Sequence, residues 1–126
     1  MAGTALIFVY GSLLKGEANH HLLRRAEYLG SGKTTHSYRL IDLGSYPALV
    51  AEGATAVTGE VYRVSTSLLA TLDVFEEHPE VYIRTAIRLE EGREAWTYLL
   101  RGAAPRDLPA VESGDWRAYR MQRDGA

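Results

Sequence analysis

The part of the chain around which the rest is arranged reads LLATLDVFEEHP, from Leu68 to Pro79. Ser65 or Thr66 can cap the start of a helix here, and Pro79 would stop it just beyond its end. At about 100° per residue, four apolar side chains gather into one stripe along this helix. They are Leu68, Leu69, Leu72 and Phe75. The stretch therefore predicts an amphipathic helix that packs one face on the core.

Glu76 falls inside that apolar stripe, whereas Glu77 and Asp73 point well away from it. A carboxylate on the core-facing side of a helix costs free energy to desolvate, and burial raises its pKa. Such a carboxylate is usually either paired or used in chemistry. Two interpretations of Glu76 stay open: a structural group that pairs with Arg84 or reaches water, and a functional acid–base group.

The composition of the chain excludes several classes of protein. Its 126 residues suit one domain, residues 1–126, with a single core. Fourteen basic and sixteen acidic residues give a net charge of -2, which argues against a nucleic-acid partner. Cysteine is absent, so disulfides, thiolate metal sites and a cysteine nucleophile are excluded. Without a signal segment or a run of ~18 apolar residues, we expect a soluble, cytoplasmic protein that has no membrane partner.

Apolar runs and turn residues predict the remaining elements. The run from Ala5 to Tyr10 predicts a strand that is buried on both faces. Asn19 can cap a second helix, which runs through Glu27 and is closed by Gly30. Further strands are expected at residues 57–64, 81–89 and 93–100, and residues 114–119 predict a short closing turn or helix. Two convincing helices and hairpin-type connections favour an α+β fold with a mostly antiparallel sheet or small barrel.

Three familiar functional motifs are incomplete or absent in this sequence. Residues 30–34 (GSGKT) are not a phosphate-binding loop, because Glu27 stands where the first glycine is required. Ser12 lacks the first glycine of a nucleophile elbow, which leaves a serine nucleophile weakly supported. No histidine has a partner at zinc-ligand spacing, so we predict no metal site. The four histidines are His20, His21, His36 and His78.

Gly11 and Ser12 end the first predicted strand. A buried strand that stops at a Gly-Ser pair leaves successive N–H groups free at its C-terminal end. Such a nest of amides can bind a carboxylate or a carbonyl oxygen that develops negative charge. An ordinary strand-ending turn has the same composition, so the pattern alone does not decide between the two.

Short segments in a fixed order carry a resemblance to a known family. They are Phe8-Val9-Tyr10-Gly11-Ser12-Leu13, Lys15-Gly16, Asn19-His20, Gly59-Glu60-Val61-Tyr62, Leu72-Asp73-x-Phe75-Glu76 and Tyr82-x-Arg84-Thr85. In these segments the chain resembles the γ-glutamyl cyclotransferase-like proteins, especially the γ-glutamylamine cyclotransferase branch. The resemblance covers most of residues 6–90 and becomes loose after Leu100.

The resemblance implies a small, mostly antiparallel β-barrel flanked by two main helices. It also implies that Tyr10, Gly11, Ser12 and Leu13 bind the substrate and that Glu76 is catalytic. The helical wheel and the family motif thus select the same carboxylate. The implied reaction is attack of a γ-glutamyl group's α-amine on its own γ-carbonyl, which releases 5-oxoproline and an amine. It requires a small-molecule γ-glutamyl substrate, but no metal, cofactor or covalent intermediate.

Other side chains are less specific. Tyr46 and Tyr82 could line the pocket or serve as ordinary packing residues. Arg84 could balance Glu76 or a substrate carboxylate, or lie on a strand surface, and Tyr119 is a further pocket candidate. Two rival functions remain: an amide hydrolase that uses water, and a barrel that binds a carboxylate ligand without turnover. The leaving amine and the oligomeric state are not predicted, although a monomer is compatible with the sequence.

Overall fold

A computed structural model describes residues 3–103 and 105–125 of the chain. Residues 1, 2, 104 and 126, which belong to the predicted domain, lie outside the described residues. Within the described ranges we number seven strands and two α-helices. In chain order they are β1 (Thr4–Val9), β2 (Glu27–Lys33), β3 (Tyr38–Asp42), β4 (Pro47–Thr55), β5 (Thr58–Ser65), α1 (Thr66–Phe75), β6 (Tyr82–Arg88), β7 (Glu94–Leu100) and α2 (Trp116–Asp124). A short 3₁₀ helix spans His20–Leu23.

Five strands form one mixed sheet in the order β2-β5-β1-β7-β6, while β3 and β4 pair separately. The β1–β7 pair is parallel, and the other pairs are antiparallel. The fold is therefore α+β and its sheets are mostly antiparallel, but the predicted closed barrel is wrong. Closure requires hydrogen bonding all the way around the sheet. Among the described residues, the edge strands β2 and β6 do not pair with each other, and an isolated bridge between Thr34 and Leu89 connects the segments at their ends.

Strand β1 runs through the middle of the molecule and separates two apolar clusters. Ile7 and Val9 pack in one cluster with Leu72 of α1, while Phe8 packs in the other with Trp116 of α2. Consecutive side chains of a strand point to opposite faces, so burial of all three places core on both sides of the sheet. The prediction of a strand buried on both faces is confirmed.

The predicted second helix, from Asn19 through Glu27 to Gly30, is wrong. Only His20–Leu23 are helical, and the Asn19 side chain makes no capping hydrogen bond. Residues 27–33 instead form β2, which pairs with β5. Gly30 has a φ of +115° and lies where the register of that pairing shifts, so it serves a bulge and not a helix end. Pairing with a neighbouring strand has overridden the local helical pattern.

Each of the two α-helices begins after a residue whose side chain caps it. The Ser65 hydroxyl accepts a hydrogen bond from the Leu68 amide at 3.1 Å, as predicted for the start of α1. Asp115 caps α2 by accepting from the Ala118 amide at 3.1 Å, and this helix runs further than the predicted 114–119 segment. No helix in residues 3–103 or 105–125 has the length and apolar character needed to cross a membrane.

Candidate active site

A cavity of about 310 Å³ lies where the end of β1 meets the end of α1. Its walls come from β1 and the loop after it, the β3–β4 turn with the start of β4, the end of α1 with the segment after it, and one residue each of β6 and β7. The lining residues are Phe8, Val9, Tyr10, Gly11, Ser12, Leu13, Asn19, Tyr46, Pro47, Phe75, Glu76, Glu77, Val81, Tyr82 and Tyr98. Its volume is at the lower end of the range for small-molecule sites.

The loop at residues 11–13 forms one wall of the cavity and is held through its carbonyl groups. The Gly11 carbonyl accepts from the Leu14 amide at 3.0 Å, and the Ser12 carbonyl accepts from the Asn19 amide at 2.9 Å. The ring Nδ1–H of His20 donates to the Leu13 carbonyl at 2.9 Å. The amide N–H groups of residues 11–13 have no acceptor within the described part of the chain. The loop thus presents successive free donors that an anionic or carbonyl oxygen can accept.

Glycine at position 11 allows this loop to lie directly against β4. A Cβ atom at Gly11 would be 2.6 Å from Cγ and 2.7 Å from Cδ of Pro47. Neither the loop nor the rigid proline ring can accept such a contact without moving. Gly11 and Pro47 therefore set the distance between the amide donors and the β3–β4 turn.

The end of α1 determines where Glu76 lies. Helix α1 stops at Phe75, four residues before the proline that was predicted to stop it. The His78 amide donates to the Asp73 carbonyl at 2.9 Å, and the Glu77 amide donates to the Val74 carbonyl at 3.1 Å. This is the Schellman arrangement, in which Glu77 takes the left-handed conformation with φ at +54°. Glu76 is the last residue before that reversal, and its side chain lines the cavity.

The Glu76 side chain is half-buried and has no partner among the described residues. Burial alone raises the pKa of its carboxyl group from 4.5 to about 7. No hydrogen bond or ion pair offsets that desolvation within residues 3–103 and 105–125. A carboxyl group with a pKa near 7 can both accept and donate a proton at neutral pH.

Arg84, considered above as a partner for Glu76, binds Asp73 instead. Its Nε lies 2.8 Å from Asp73 Oδ1, and its guanidinium group stacks on the Trp96 ring with a centroid distance of 4.4 Å. Tyr98 donates its hydroxyl to the same Asp73 oxygen at 2.7 Å. Arg84 is therefore committed to a separate cluster and does not line the cavity.

Buried tyrosines form much of the remaining wall. The Tyr10 hydroxyl donates to the Tyr98 carbonyl at 2.6 Å, and the Tyr82 hydroxyl donates to the Pro47 carbonyl at 3.3 Å. Burial is the main reason why the pKa values of Tyr10, Tyr82 and Tyr98 lie well above the ordinary value for tyrosine. Their hydroxyls stay protonated at neutral pH and act as donors that lock the walls together. Tyr46, by contrast, is 48% exposed at the cavity mouth.

The structure brings most of the predicted site residues together. Residues 10–13, Tyr46, Glu76 and Tyr82 all line one cavity. Tyr119 lies elsewhere, because its hydroxyl donates to Asp42 Oδ2 at 2.7 Å in the second apolar cluster.

Several residues that line the cavity were not predicted as site residues. Asn19 was interpreted as a helix cap and as part of the family resemblance, and Glu77 was expected to point away from the apolar stripe, yet both line the cavity. Tyr98 was not singled out, although the alternating pattern of its strand marks it as inward-facing. Within the described residues, no group of three or more His, Asp or Glu side chains could hold a metal ion.

Comparison with known proteins gives concordant matches. A family model described as gamma-glutamyl cyclotransferase, AIG2-like matches residues 7–118. A Vibrio cholerae protein, provisionally named a gamma-glutamylcyclotransferase, is 44% identical over 111 residues that cover 88% of this chain and 94% of that protein. The gamma-glutamylcyclotransferase family protein YtfP of Escherichia coli is 40% identical over 111 residues, with coverages of 87% and 94%. Among solved structures, the mouse AIG2-like protein has a TM-score of 0.78 at 34% identity, covering 89% of this chain and 88% of that one.

Proposed function

Because this chain belongs to the γ-glutamyl cyclotransferase, AIG2-like family, we propose that it cleaves a γ-glutamyl amide by cyclisation. The α-amine of the substrate's glutamyl group attacks its own γ-carbonyl carbon. The products are 5-oxoproline and a free amine. Residues 10–13 bind the glutamyl group, and Glu76 is the acid–base residue.

One observation carries this proposal. A half-buried carboxyl group without a protein partner shares a small cavity with successive free amide donors. The substrate has the complementary groups, since its glutamyl part carries an ammonium group for Glu76 and oxygen atoms for the amides of residues 11–13. The cavity volume of about 310 Å³ has room for a glutamyl group. A folded substrate held in this way gains the high effective concentration of intramolecular reactions, about 10⁵ M or more.

The proton balance of the reaction suits a single carboxyl group. The substrate's α-ammonium gives one proton to the Glu76 carboxylate, and the neutral amine then forms a bond to the γ-carbon. The γ-oxygen becomes negative and is stabilised by amide donors of residues 11–13. Glu76 returns its proton to the leaving nitrogen as the original C–N bond breaks. The ring nitrogen loses its surplus proton to Glu76, which passes it on to the departing amine.

A product assay tests the proposal directly. The purified protein is incubated with γ-glutamyl amides of amines and amino acids, and 5-oxoproline and free glutamate are measured separately. We expect 5-oxoproline and amine in equal amounts. Glutamate without 5-oxoproline would instead identify a hydrolase that uses water.

The Glu76→Gln variant separates an enzyme from a binding protein. Gln keeps the size of the side chain but cannot take up a proton, so turnover should be lost while the fold and most substrate affinity remain. If the wild-type protein binds γ-glutamyl amides but releases neither product, the chain is a binding module and the proposal is wrong.

A further inference from the structure

Two walls of the cavity come from segments that are far apart in the chain. The donor loop, residues 11–19, forms one wall, and residues 43–47, which are the β3–β4 turn and the start of β4, form another. Among the described residues, no hydrogen bond joins these two segments, and they meet where Gly11 lies against Pro47. Such a contact limits how closely the two walls approach. It does little to prevent them from separating, because the dispersion attraction of a few atoms is weak.

Helix α2 lies outside the cavity but is bonded to the donor loop. Arg117 Nη1 donates to the Lys15 carbonyl at 2.6 Å, and Arg120 donates to both carboxylate oxygens of Glu17 at 2.7 and 2.8 Å. The Glu17 side chain is only 3% exposed, so this bidentate pair is shielded from solvent. Lys15 and Glu17 lie two and four residues after Leu13, the last of the amide donors. The first half of α2 therefore holds the segment that directly follows the donors.

The last turn of α2 is bonded to the opposite wall through Arg123. Its Nη1 donates to Asp42 Oδ1 and Oδ2, each at 3.0 Å, and to the Gly44 carbonyl at 2.7 Å. Its guanidinium group also lies over the ring of the buried Trp116, with its carbon atom 5.4 Å from the ring centroid. The Asp42 side chain is only 7% exposed. Arg123 thus fixes the start of the turn that places Tyr46 in the cavity wall.

We propose that Arg123 is a positioning residue for the amide donors, and that α2 is a clamp that holds the donor loop against the β3–β4 turn. Arg123 makes no hydrogen bond to the donor loop within the described chain, so it acts on residues 11–13 through the opposite wall. When Arg123 is removed, the turn is free to move away from Gly11. This inference rests on the proposed cyclisation, in which the donors stabilise the negative γ-oxygen, and adds a residue from outside the cavity.

The mobility of the donors tests the clamp without any substrate. The NMR order parameters of the backbone amides of residues 11–13 should be about 0.85 in the wild-type protein, the value of a rigid backbone, and fall towards about 0.6 in Arg123→Ala. Asp124→Asn is the matched control, because it removes an exposed partner of Arg123 on the same helix, at 2.7 Å, and leaves the turn bonded. It should keep the wild-type order parameters. Unchanged order parameters in Arg123→Ala would overturn the proposal.

Turnover tests whether the clamp matters for the reaction. The substrate is the γ-glutamyl amide of pentylamine, and the assay temperature is one at which circular dichroism shows every variant to be folded. Arg123→Ala should lower kcat/KM for 5-oxoproline release about tenfold, because small displacements of binding groups are costly in rate. Asp124→Asn should stay within about twofold of the wild-type protein.

A double-mutant cycle separates a clamp from two independent supports. Glu17→Gln weakens the loop end of α2 without leaving a buried charge, and it should lower kcat/KM about fivefold in the wild-type background. In the Arg123→Ala background the same change should cost less than about twofold, because the clamp is already open. A second loss of about fivefold would show that the two ends act separately, and the proposal would be wrong.

The Arg123→Ala variant leaves Asp42 with two other donors. The Tyr119 hydroxyl donates to it at 2.7 Å and the Gly44 amide at 2.6 Å, so we expect the variant to fold. If circular dichroism shows that it does not, Arg123→Lys takes its place in both experiments. Lysine keeps a positive charge beside Asp42 but loses the fixed geometry of the guanidinium group, so about threefold of kcat/KM should be lost.

The outcomes separate this inference from the function on which it rests. If the wild-type protein releases no 5-oxoproline from any γ-glutamyl amide, the proposed function fails, and the order parameters still decide whether α2 is a clamp. If 5-oxoproline is released and Arg123→Ala keeps the wild-type kcat/KM, cyclisation stands and the positioning role is wrong. A loss in Asp124→Asn as large as in Arg123→Ala would also overturn it, because the bond to the turn would then not be the cause.

Discussion

Arg84 donates its Nε–H to Asp73 Oδ1 across 2.8 Å, and this ion pair leaves Glu76 without a cation. Asp73 is placed on α1 one turn before the cavity, and it also accepts the Tyr98 hydroxyl at 2.7 Å. The positive charge that could have stabilised an ionised Glu76 is thereby neutralised by another carboxylate. Burial then controls the pKa of Glu76.

Asp73→Asn should lower the pKa of Glu76. Asparagine can still accept the Arg84 and Tyr98 hydrogen bonds through Oδ1, but it no longer cancels the guanidinium charge. The uncompensated charge favours ionised Glu76, so the acidic limb of kcat/KM should move to lower pH. Turnover of the neutral γ-glutamyl amide of pentylamine, measured between pH 5 and 9, checks this. In the double variant Asp73→Asn/Arg84→Met, the acidic limb of the pH profile should return towards its wild-type position. If the acidic limb of the single variant Asp73→Asn stays where it is in the wild-type protein, the prediction is wrong.

Glu76→Gln should lower kcat by about 10² to 10⁴-fold, the usual contribution of a positioned acid–base group. In the wild-type protein, kcat/KM should fall about tenfold per pH unit below pH 7, because burial raises the pKa of Glu76 to about 7 and the base form is required. Steady-state kinetics with circular dichroism of both proteins measure the two effects. Glu77→Gln, assayed with the γ-glutamyl amide of pentylamine, is the control, and a loss of kcat as large as in Glu76→Gln would reassign the catalytic carboxylate.

Glu76→Gln should also stabilise the folded protein at high pH. The pKa of Glu76 is about 7 when folded and near 4.5 when unfolded, so between these values the folded state binds more protons. The stability contributed by Glu76 is therefore full below about pH 4.5 and is lost as pH rises through 7. Because the carboxylate keeps some contact with water, we expect the variant to gain on the order of 2 kcal/mol at pH 8. Urea denaturation at pH 4.5 and pH 8 tests this, and an equal gain at both values would refute the linkage.

Gly11→Ala should impair substrate binding by moving the amide donors. The new Cβ would lie 2.6 Å from Pro47 Cγ, so the loop or the β3–β4 turn must shift. We expect a loss of about 1–3 kcal/mol of stability and a clear rise in KM. In Gly11→Ala/Pro47→Ala the clashing Cγ and Cδ atoms are absent, so much of the affinity should return. If the double variant binds substrate no more tightly than Gly11→Ala alone, the contact with Pro47 is not the reason why glycine is needed at position 11.

Arg120→Ala should loosen the loop that carries the amide donors. Arg120 of α2 forms two hydrogen bonds to Glu17, Nε to Oε1 at 2.7 Å and Nη2 to Oε2 at 2.8 Å. The Glu17 side chain is only 3% exposed, so removing its partner leaves a buried charge unpaired. Both the thermal midpoint and the affinity for γ-glutamyl substrates should fall.

The Arg93–Glu91 pair provides the comparison for that variant. It has a similar 2.9 Å separation, but both side chains are more exposed and lie in the hairpin loop. Arg93→Ala should therefore change stability and KM little. Equal effects of the two substitutions would show that α2 does not hold the loop through Glu17.

The sequence alone determined the helices and strands that depend on residues close to one another in the chain. Ser65 and the apolar spacing of Leu69 and Leu72 specify α1, because capping and a 3.6-residue period act within a few residues. The apolar run before Gly11 specifies a buried strand in the same way. The position of Glu76, four residues after Leu72, further indicated a carboxyl group drawn towards the core. These local patterns, with the segments that resemble the family, were enough to select seven of the residues that line the cavity.

The tertiary structure decided what depends on partners distant in the chain. Residues 27–33 have a helical start signal nearby, but pairing with β5 makes them a strand. Arg84 had two carboxylates within plausible reach, and only the packed positions of β6 and β7 assign it to Asp73. Whether the sheet closes depends on the distance between β2 and β6, which no local pattern contains. Hydrogen-bond and charge partners are chosen by the packing of the whole chain, so the unpaired state of Glu76 could be known only from the fold.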